Sequence, residues 1–179
     1  MKYSKLEGVI INHRLVKDSD RFLTIFTEGM GKISVYARGV RSITSKRAGS
    51  LDLFSHIKCE LIETGIGLPA GGRRTITSVE LLNGHHVSKD SLANISRLFQ
   101  IGELIDALLP EDDPHPEVYV LLQTALTHLH RFATPDYLYR FKKKLLLLLG
   151  YGDPALTPAT IDSYLDSLLS RPLRSGQIL

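Results

Sequence analysis

The period of the hydrophobic pattern changes once along this chain, and that change limits its possible folds more than any other feature. Up to about residue 82, apolar side chains alternate with polar ones in short runs bounded by turn residues, which is typical of β-strands. After residue 83 the apolar side chains recur at the 3.6-residue spacing of amphipathic helices. The pattern therefore predicts a β domain over residues 1–82 and a helical domain over residues 83–179.

The first half contains about five segments with strand patterns. The clearest is 32–38, where Ile33, Val35 and Ala37 alternate with polar or amphipathic residues. The others are 6–12, 22–27, 56–63 and 74–82. Five strands suit a small OB barrel. The predicted fold class is therefore α+β in two domains, a five-stranded OB-fold β-barrel followed by an all-α domain.

The second half contains four helical patterns. They run from about 92 to 109, from 116 to 132, from 135 to 149 and onward from Thr157-Pro158. Ser88 or Asp90 is the predicted N-cap of the first helix, and Pro110 ends it. Gly150 ends the third helix.

Positive charge is concentrated in the β domain. Residues 1–82 carry 13 Lys and Arg against 8 acids, a net charge of +5, whereas residues 83–179 carry 9 against 11, a net charge of −2. The stretch "YARGVRSITSKRAGS" (36–50) follows the clearest strand, and no acid occurs between Glu28 and Asp52. This asymmetry indicates two modules with different partners.

The basic residues of the β domain form a candidate nucleic-acid platform. Cations contact phosphates and an aromatic ring stacks on a base, and OB barrels bind oligonucleotides on a sheet face and its surrounding loops. The same residues also fit a solvated strand face beside an ordinary basic loop. The candidates, on the predicted outward face of strand 32–38 and on two loops, are Lys32, Tyr36, Arg38, Arg41, Lys46, Arg47, Arg73 and Arg74.

Four ordered motifs resemble the bacterial recombination mediator family RecO. They are "DRFLTIFTEGMGKISVYARGVRS" (20–42), "RAGSLDLFS" (47–55), "LLLLLGYGDP" (145–154) and the ending "RPLRSGQIL" (171–179). The resemblance implies a protein that binds single- and double-stranded DNA and anneals complementary strands. It also implies that the protein works with RecR to load RecA onto DNA covered by single-strand-binding protein.

The chain departs from the family pattern after the Leu-rich helix. Members of the family commonly have a longer segment there, often with a four-cysteine zinc site, whereas this chain has a single cysteine, Cys59. We therefore expect an abbreviated member without the zinc segment.

A second candidate surface lies on the third helix. Arg140 and Lys144 are four residues apart and so share a helix face, beside a groove that Phe141 and Leu145 help line. A solvated helix face is the simpler interpretation. In the family, the helical module receives the acidic, aromatic-ended tail of single-strand-binding protein, and a basic rim around an apolar slot would suit such a tail.

No catalytic, metal-binding or cofactor-binding pattern emerges. His128 and His130 are two apart on a helix and point to different faces, while Cys59 faces inward on a strand and is expected to pack rather than react. The glycine-rich "TGIGLPAGG" (64–72) lacks the Lys-Ser/Thr of a phosphate loop. We expect no enzyme activity, no cofactor and no membrane partner, and a cytoplasmic location because the chain lacks disulfides and a signal-like start.

Two other functions remain compatible with these residues. The chain could be a protein-interaction adaptor in which the helical half does the main work. It could also be a general RNA-binding OB-fold protein, which would use the same basic residues and is disfavoured only by the family motifs.

Overall fold

The computed structural model describes residues 2–16, 20–38, 51–65, 73–132 and 134–174. The chain divides into two compact units, one made of Met1–Gly84 and Pro110–Pro114 and the other of His85–Leu109 and His115–Leu179. A division at residue 83 alone would leave residues 110–114 in the helical half. The structure instead packs this segment with the first unit.

The first unit is a closed five-stranded barrel. Its strand order is β1-β2-β3-β5-β4, and β1 pairs antiparallel with both β2 and β4 to close the cylinder. The strands are β1 Lys2–Leu15, β2 Arg21–Thr27, β3 Gly31–Ala37, β4 His56–Thr64 and β5 Arg73–Asn83. This architecture confirms the predicted OB-fold barrel.

The barrel interior is filled by the apolar residues of the period-two pattern. Ile33, Val35 and Ala37 of β3 are buried, as predicted, and pack with buried residues of the other four strands. Cys59 of β4 is also buried, which confirms its inward orientation. Burial raises the pKa of its thiol to about 12, so the reactive thiolate is suppressed at neutral pH.

The turn between β2 and β3 depends on a glycine. Thr27 Oγ1 accepts a hydrogen bond from the Met30 backbone N–H at 3.1 Å and donates to the Gly31 carbonyl at 3.0 Å. Gly31 has a φ of 68°, in the left-handed region that favours glycine. A Cβ at this position would lie 2.0 Å from the carbonyl oxygen of Asp113, so the close approach of the two backbones also requires a glycine.

The second unit, within the described residues, contains four α-helices: α1 Leu92–Leu108, α2 Pro116–His128, α3 Pro135–Leu148 and α4 Ile161–Leu169. Their buried faces supply an apolar core that includes Leu104, Leu122, Leu145 and Leu165. The predicted all-α second domain is confirmed. None of these helices is long and apolar enough to cross a membrane.

The N-cap of α1 is Ser91, so the prediction of Ser88 or Asp90 is wrong. The side chain of Ser91 accepts a hydrogen bond from the Asn94 backbone N–H at 3.2 Å, the geometry of an N-cap. Ser88 instead lies in a short 3-10 helix, His86–Lys89, and its hydroxyl donates to the buried Leu126 carbonyl at 2.7 Å.

Two helix ends also differ from the prediction. α2 ends at His128, before the predicted end at residue 132. α4 begins at Ile161 because Thr157 and Thr160 form a hydrogen-bonded turn before it: the Thr160 N–H donates to the Thr157 carbonyl at 3.1 Å. The end of α3 at Leu148 agrees with the prediction, and Gly150 follows it with a φ of 81°.

Candidate nucleic-acid interface

Two arginines and two aromatic rings stack across four strands of the barrel. Arg14 of β1 lies with its guanidinium carbon 5.2 Å from the centre of the Phe22 ring on β2. The Phe22 and Tyr36 ring centres are 5.2 Å apart and inclined at 55°. The guanidinium carbon of Arg73, at the start of β5, lies 3.7 Å from the centre of the Tyr36 ring. We call Arg14, Phe22, Tyr36 and Arg73 the arginine–aromatic stack.

Strand register explains why these four residues meet. Arg14 is directly opposite Phe22 in the β1–β2 pair, and Phe22 is directly opposite Tyr36 in the β2–β3 pair. Side chains of directly opposed residues are neighbours on one face of the sheet. Arg73 reaches Tyr36 because β3 and β5 meet in parallel at Tyr36 and Thr75.

The expectation that Tyr36 offers an open ring to solvent is wrong. Only 7% of the residue is exposed, because Arg73 covers the ring and Phe22 flanks it. The phenol hydroxyl donates a hydrogen bond to the carboxylate of Asp20, which is also buried. The exposed members of the stack are Arg14 and Arg73, with Phe22 half-buried.

The other β3 candidates differ among themselves. Arg38, just after the strand, is exposed as predicted. Lys32, by contrast, is buried, with 8% of the residue exposed. Its backbone forms a parallel β-bridge with Glu111. Alternation along β3 predicts which residues enter the core, but a segment distant in sequence covers part of the opposite face.

That covering segment is residues 111–113, which we call the acidic strap. The Asp112 N–H donates to the Lys32 carbonyl at 2.9 Å, and the Ser34 hydroxyl donates to Glu111 Oε1 at 2.6 Å. The guanidinium of Arg74 lies 2.7 Å from Asp112 Oδ1. These acids come just before α2 in the sequence, but Glu111 and Asp112 contact the barrel.

Arg74 is a bridging residue. Its Nε also lies 3.9 Å from Glu63, whose side chain is buried and accepts a hydrogen bond from Ser4 at 3.2 Å. The arginine therefore has acidic partners on two sides.

Three predicted candidates, Arg41, Lys46 and Arg47, lie outside the described residues. Two members of the stack, Arg14 and Phe22, were missed by sequence reasoning. The β2–β3 turn could have identified Phe22, because a hairpin that pairs Thr27 with Gly31 also places Phe22 opposite Tyr36.

The predicted partner residues Arg140 and Lys144 line one cleft in the helical unit. The cleft has a volume of about 490 Å³ and is lined by apolar residues of α2 and α3 that include Leu121, Tyr137 and Phe141. Arg140 Nε lies 2.5 Å from Asp136 Oδ2, one turn earlier on the helix. Leu145, expected to line the same groove, is instead fully buried in the core.

Metal-ligating side chains do not converge in the described part of the chain. No group of three or more His, Cys, Asp or Glu residues there could hold a metal ion.

A closed OB barrel followed by a helical domain makes this chain a two-domain OB-fold protein. It belongs to the RecO family. The family model "Recombination protein O N terminal" matches residues 1–85, and "Recombination protein O C terminal" matches residues 90–156.

Curated relatives agree with this assignment. The chain is 31% identical over 156 residues to the DNA repair protein RecO of Symbiobacterium thermophilum, covering 84% of this chain and 58% of that protein. It is 30% identical over 148 residues to the DNA repair protein RecO of Geobacter sulfurreducens, covering 82% and 58%. The chain thus spans less than two thirds of the length of these relatives.

Proposed function

We propose that the chain acts in DNA repair as a non-enzymatic mediator that binds single- and double-stranded DNA. Its relatives are named DNA repair proteins, which supports a role in DNA repair. The observation that carries the binding proposal is the arginine–aromatic stack, which combines exposed cations with ordered rings on an OB barrel.

The stack suggests how a single strand would be held. Because the Arg73 guanidinium lies over the Tyr36 ring, 3.7 Å from its centre, and is exposed, its outer face offers a surface on which an unpaired base can stack. The Asp20 hydrogen bond holds Tyr36 in place beneath it, so this surface exists before DNA binds. Arg14 at the other end of the stack would contact a phosphate, as would the exposed Arg38.

The mediator steps rest on family membership. We propose that the chain anneals complementary strands and works with RecR to load RecA. We further propose that the cleft of Arg140 and Lys144 receives the acidic, aromatic-ended tail of single-strand-binding protein. The apolar lining would accept the ring, and the two cations would hold the carboxylates by charge-assisted hydrogen bonds.

The DNA-binding proposal is tested by titrating labelled single-stranded DNA, duplex DNA and RNA at several salt concentrations. Arg14→Ala/Arg73→Ala should weaken binding of single-stranded DNA and lower the magnitude of the log–log salt slope by about 1, because Arg14 is the phosphate-contacting cation and Arg73 is the stacking surface. Lys2→Ala/Lys58→Ala is the matched control, since it removes the same charge from exposed residues outside the stack.

Three outcomes separate the alternatives. Equal slopes in the two double variants would contradict the assignment to the stack. Tighter binding of RNA than of DNA would favour a general RNA-binding protein. Absence of nucleic-acid binding by the unmodified chain would favour a protein-interaction adaptor.

A further inference from the structure

We propose that the acidic strap, residues 111–113, is an internal competitor of nucleic acid on the barrel. In this view its carboxylates occupy donors that a DNA phosphate would otherwise use, and binding displaces them. The inference rests on the proposed DNA-binding function and adds a form of regulation to it.

Glu111 of the strap contacts the same strand face on which the arginine–aromatic stack lies. Ser34, which contacts Glu111, is two residues from Tyr36 on β3, and residues two apart on a strand share a face. Arg74, which contacts Asp112, is the residue after Arg73 at the start of β5. Its side chain points to the opposite face of that strand, so only the Glu111 contact lies on the face of the stack. Glu111 is therefore next to the surface proposed for DNA.

The contacts have the chemistry of phosphate recognition. A serine hydroxyl and an arginine guanidinium are common donors to phosphate oxygens. Here the Ser34 hydroxyl donates to a Glu111 carboxylate oxygen at 2.6 Å, and the Arg74 guanidinium lies 2.7 Å from an Asp112 carboxylate oxygen. Two negative groups thus sit on two donors of the kind that bind a polyanion.

The contacts between the strap and the barrel are weak enough for a DNA phosphate to replace the strap carboxylates. Glu111, Asp112 and Asp113 are all exposed, and 51% of the Asp112 side chain is accessible. Exposed ion pairs contribute little net stability, so a phosphate that releases counterions can compete with them. Asp112 also has a φ of 58°, a conformation that is uncommon outside glycine.

A purely structural role makes a different prediction. If the strap only stabilises the barrel, neutralising its acids should lower the melting temperature and leave DNA affinity unchanged. If it competes with DNA, neutralisation should raise DNA affinity.

The test is a titration of labelled single-stranded DNA with the full chain and with Glu111→Gln/Asp112→Asn. Both substitutions keep the size of the side chain, and asparagine, like aspartate, tolerates a positive φ. Glu80→Gln/Asp153→Asn is the matched control, because it makes the same two kinds of substitution at exposed residues far from the strap in sequence. Melting temperatures are measured for all three proteins to verify folding.

We expect the strap variant to bind about fivefold more tightly than the control variant, with a salt slope larger in magnitude by about 1 as a further phosphate contact forms. Adding Arg74→Gln should remove this gain. Equal affinities of the strap and control variants, when the unmodified chain binds DNA, would overturn the strap proposal alone. Absence of DNA binding in every variant would overturn the proposed function and this inference with it.

Discussion

The ring of Tyr36 is fixed by three neighbours of different chemistry. Arg73 covers its face, Phe22 flanks it, and its hydroxyl donates to the Asp20 carboxylate. A ring in this position supports the arginine above it rather than meeting a base directly. The stacking surface in the proposed mechanism is therefore Arg73, and Tyr36 is a positioning residue.

Gly31 gives the sharpest prediction at the scale of a single residue. Gly31→Ala should lower the free energy of unfolding by about 2 kcal/mol or more, because alanine is strained at positive φ and its Cβ would overlap the Asp113 carbonyl. Chemical denaturation followed by circular dichroism measures the change.

The same turn provides the control. A Cβ at Gly29 would meet nothing within 4 Å, so Gly29→Ala should change the free energy of unfolding by only about 0.5 kcal/mol in either direction. Equal effects at the two positions would show that the close approach of Gly31 to residue 113 does not contribute to stability.

Among the elements, β3 shows where local patterns succeed and where they fail. Its inward residues follow from alternation alone, because burial in the barrel imposes the period. Its outer face could not be predicted this way, since the groups that cover Tyr36 and Lys32 come from β5 and from residues 111–113. Only tertiary pairing brings them there.

The start of α1 illustrates a different limit. Ser88, Asp90 and Ser91 are all residue types that cap helices, so the sequence near the start offers several equivalent choices. The choice is settled by packing, because the hydroxyl of Ser88 is engaged by the Leu126 carbonyl.

α3 carries the prediction for a protein partner. A peptide that ends in acids and an aromatic residue should bind the full chain with roughly micromolar affinity, since the cleft is small and the peptide must be ordered. Arg140→Glu/Lys144→Glu should abolish binding by placing negative charge at the rim. Isothermal titration calorimetry would measure both affinities.

A matched variant separates rim charge from total charge. Lys58→Glu/Arg174→Glu makes the same charge change at exposed residues outside the cleft and should leave peptide binding unchanged. Normal peptide binding by the Arg140/Lys144 variant would mean that these side chains only form a solvated helix face.

For the whole molecule, the sequence was sufficient to predict the class of fold and insufficient to predict its site. The change of period at residue 83 predicts a barrel followed by helices, and the structure has both. The site depends on cross-strand register and on residues 110–114 packing with the barrel unit rather than with the helices that flank them in sequence. Neither leaves a local periodic signal.

The distribution of charge along the whole chain agrees with the proposal that the barrel binds DNA and the helical half binds a protein partner. The net charge of +5 over residues 1–82 favours a polyanion at the barrel, while the helical half, with a net charge of −2, has no comparable excess of cations. DNA should therefore contact the barrel first.

Ultraviolet crosslinking of a thymine-rich single strand to the full chain, followed by mass spectrometry of the adducts, tests the central claim most directly. A base held by the arginine–aromatic stack lies against Arg73, because Arg73 covers the Tyr36 ring, and the half-buried Phe22 is the aromatic member left accessible. Crosslinking requires such close contact. We predict adducts on the peptides that contain Arg73 or Phe22, and their loss in Arg14→Ala/Arg73→Ala. Adducts confined to the helical residues 92–169 would contradict the account.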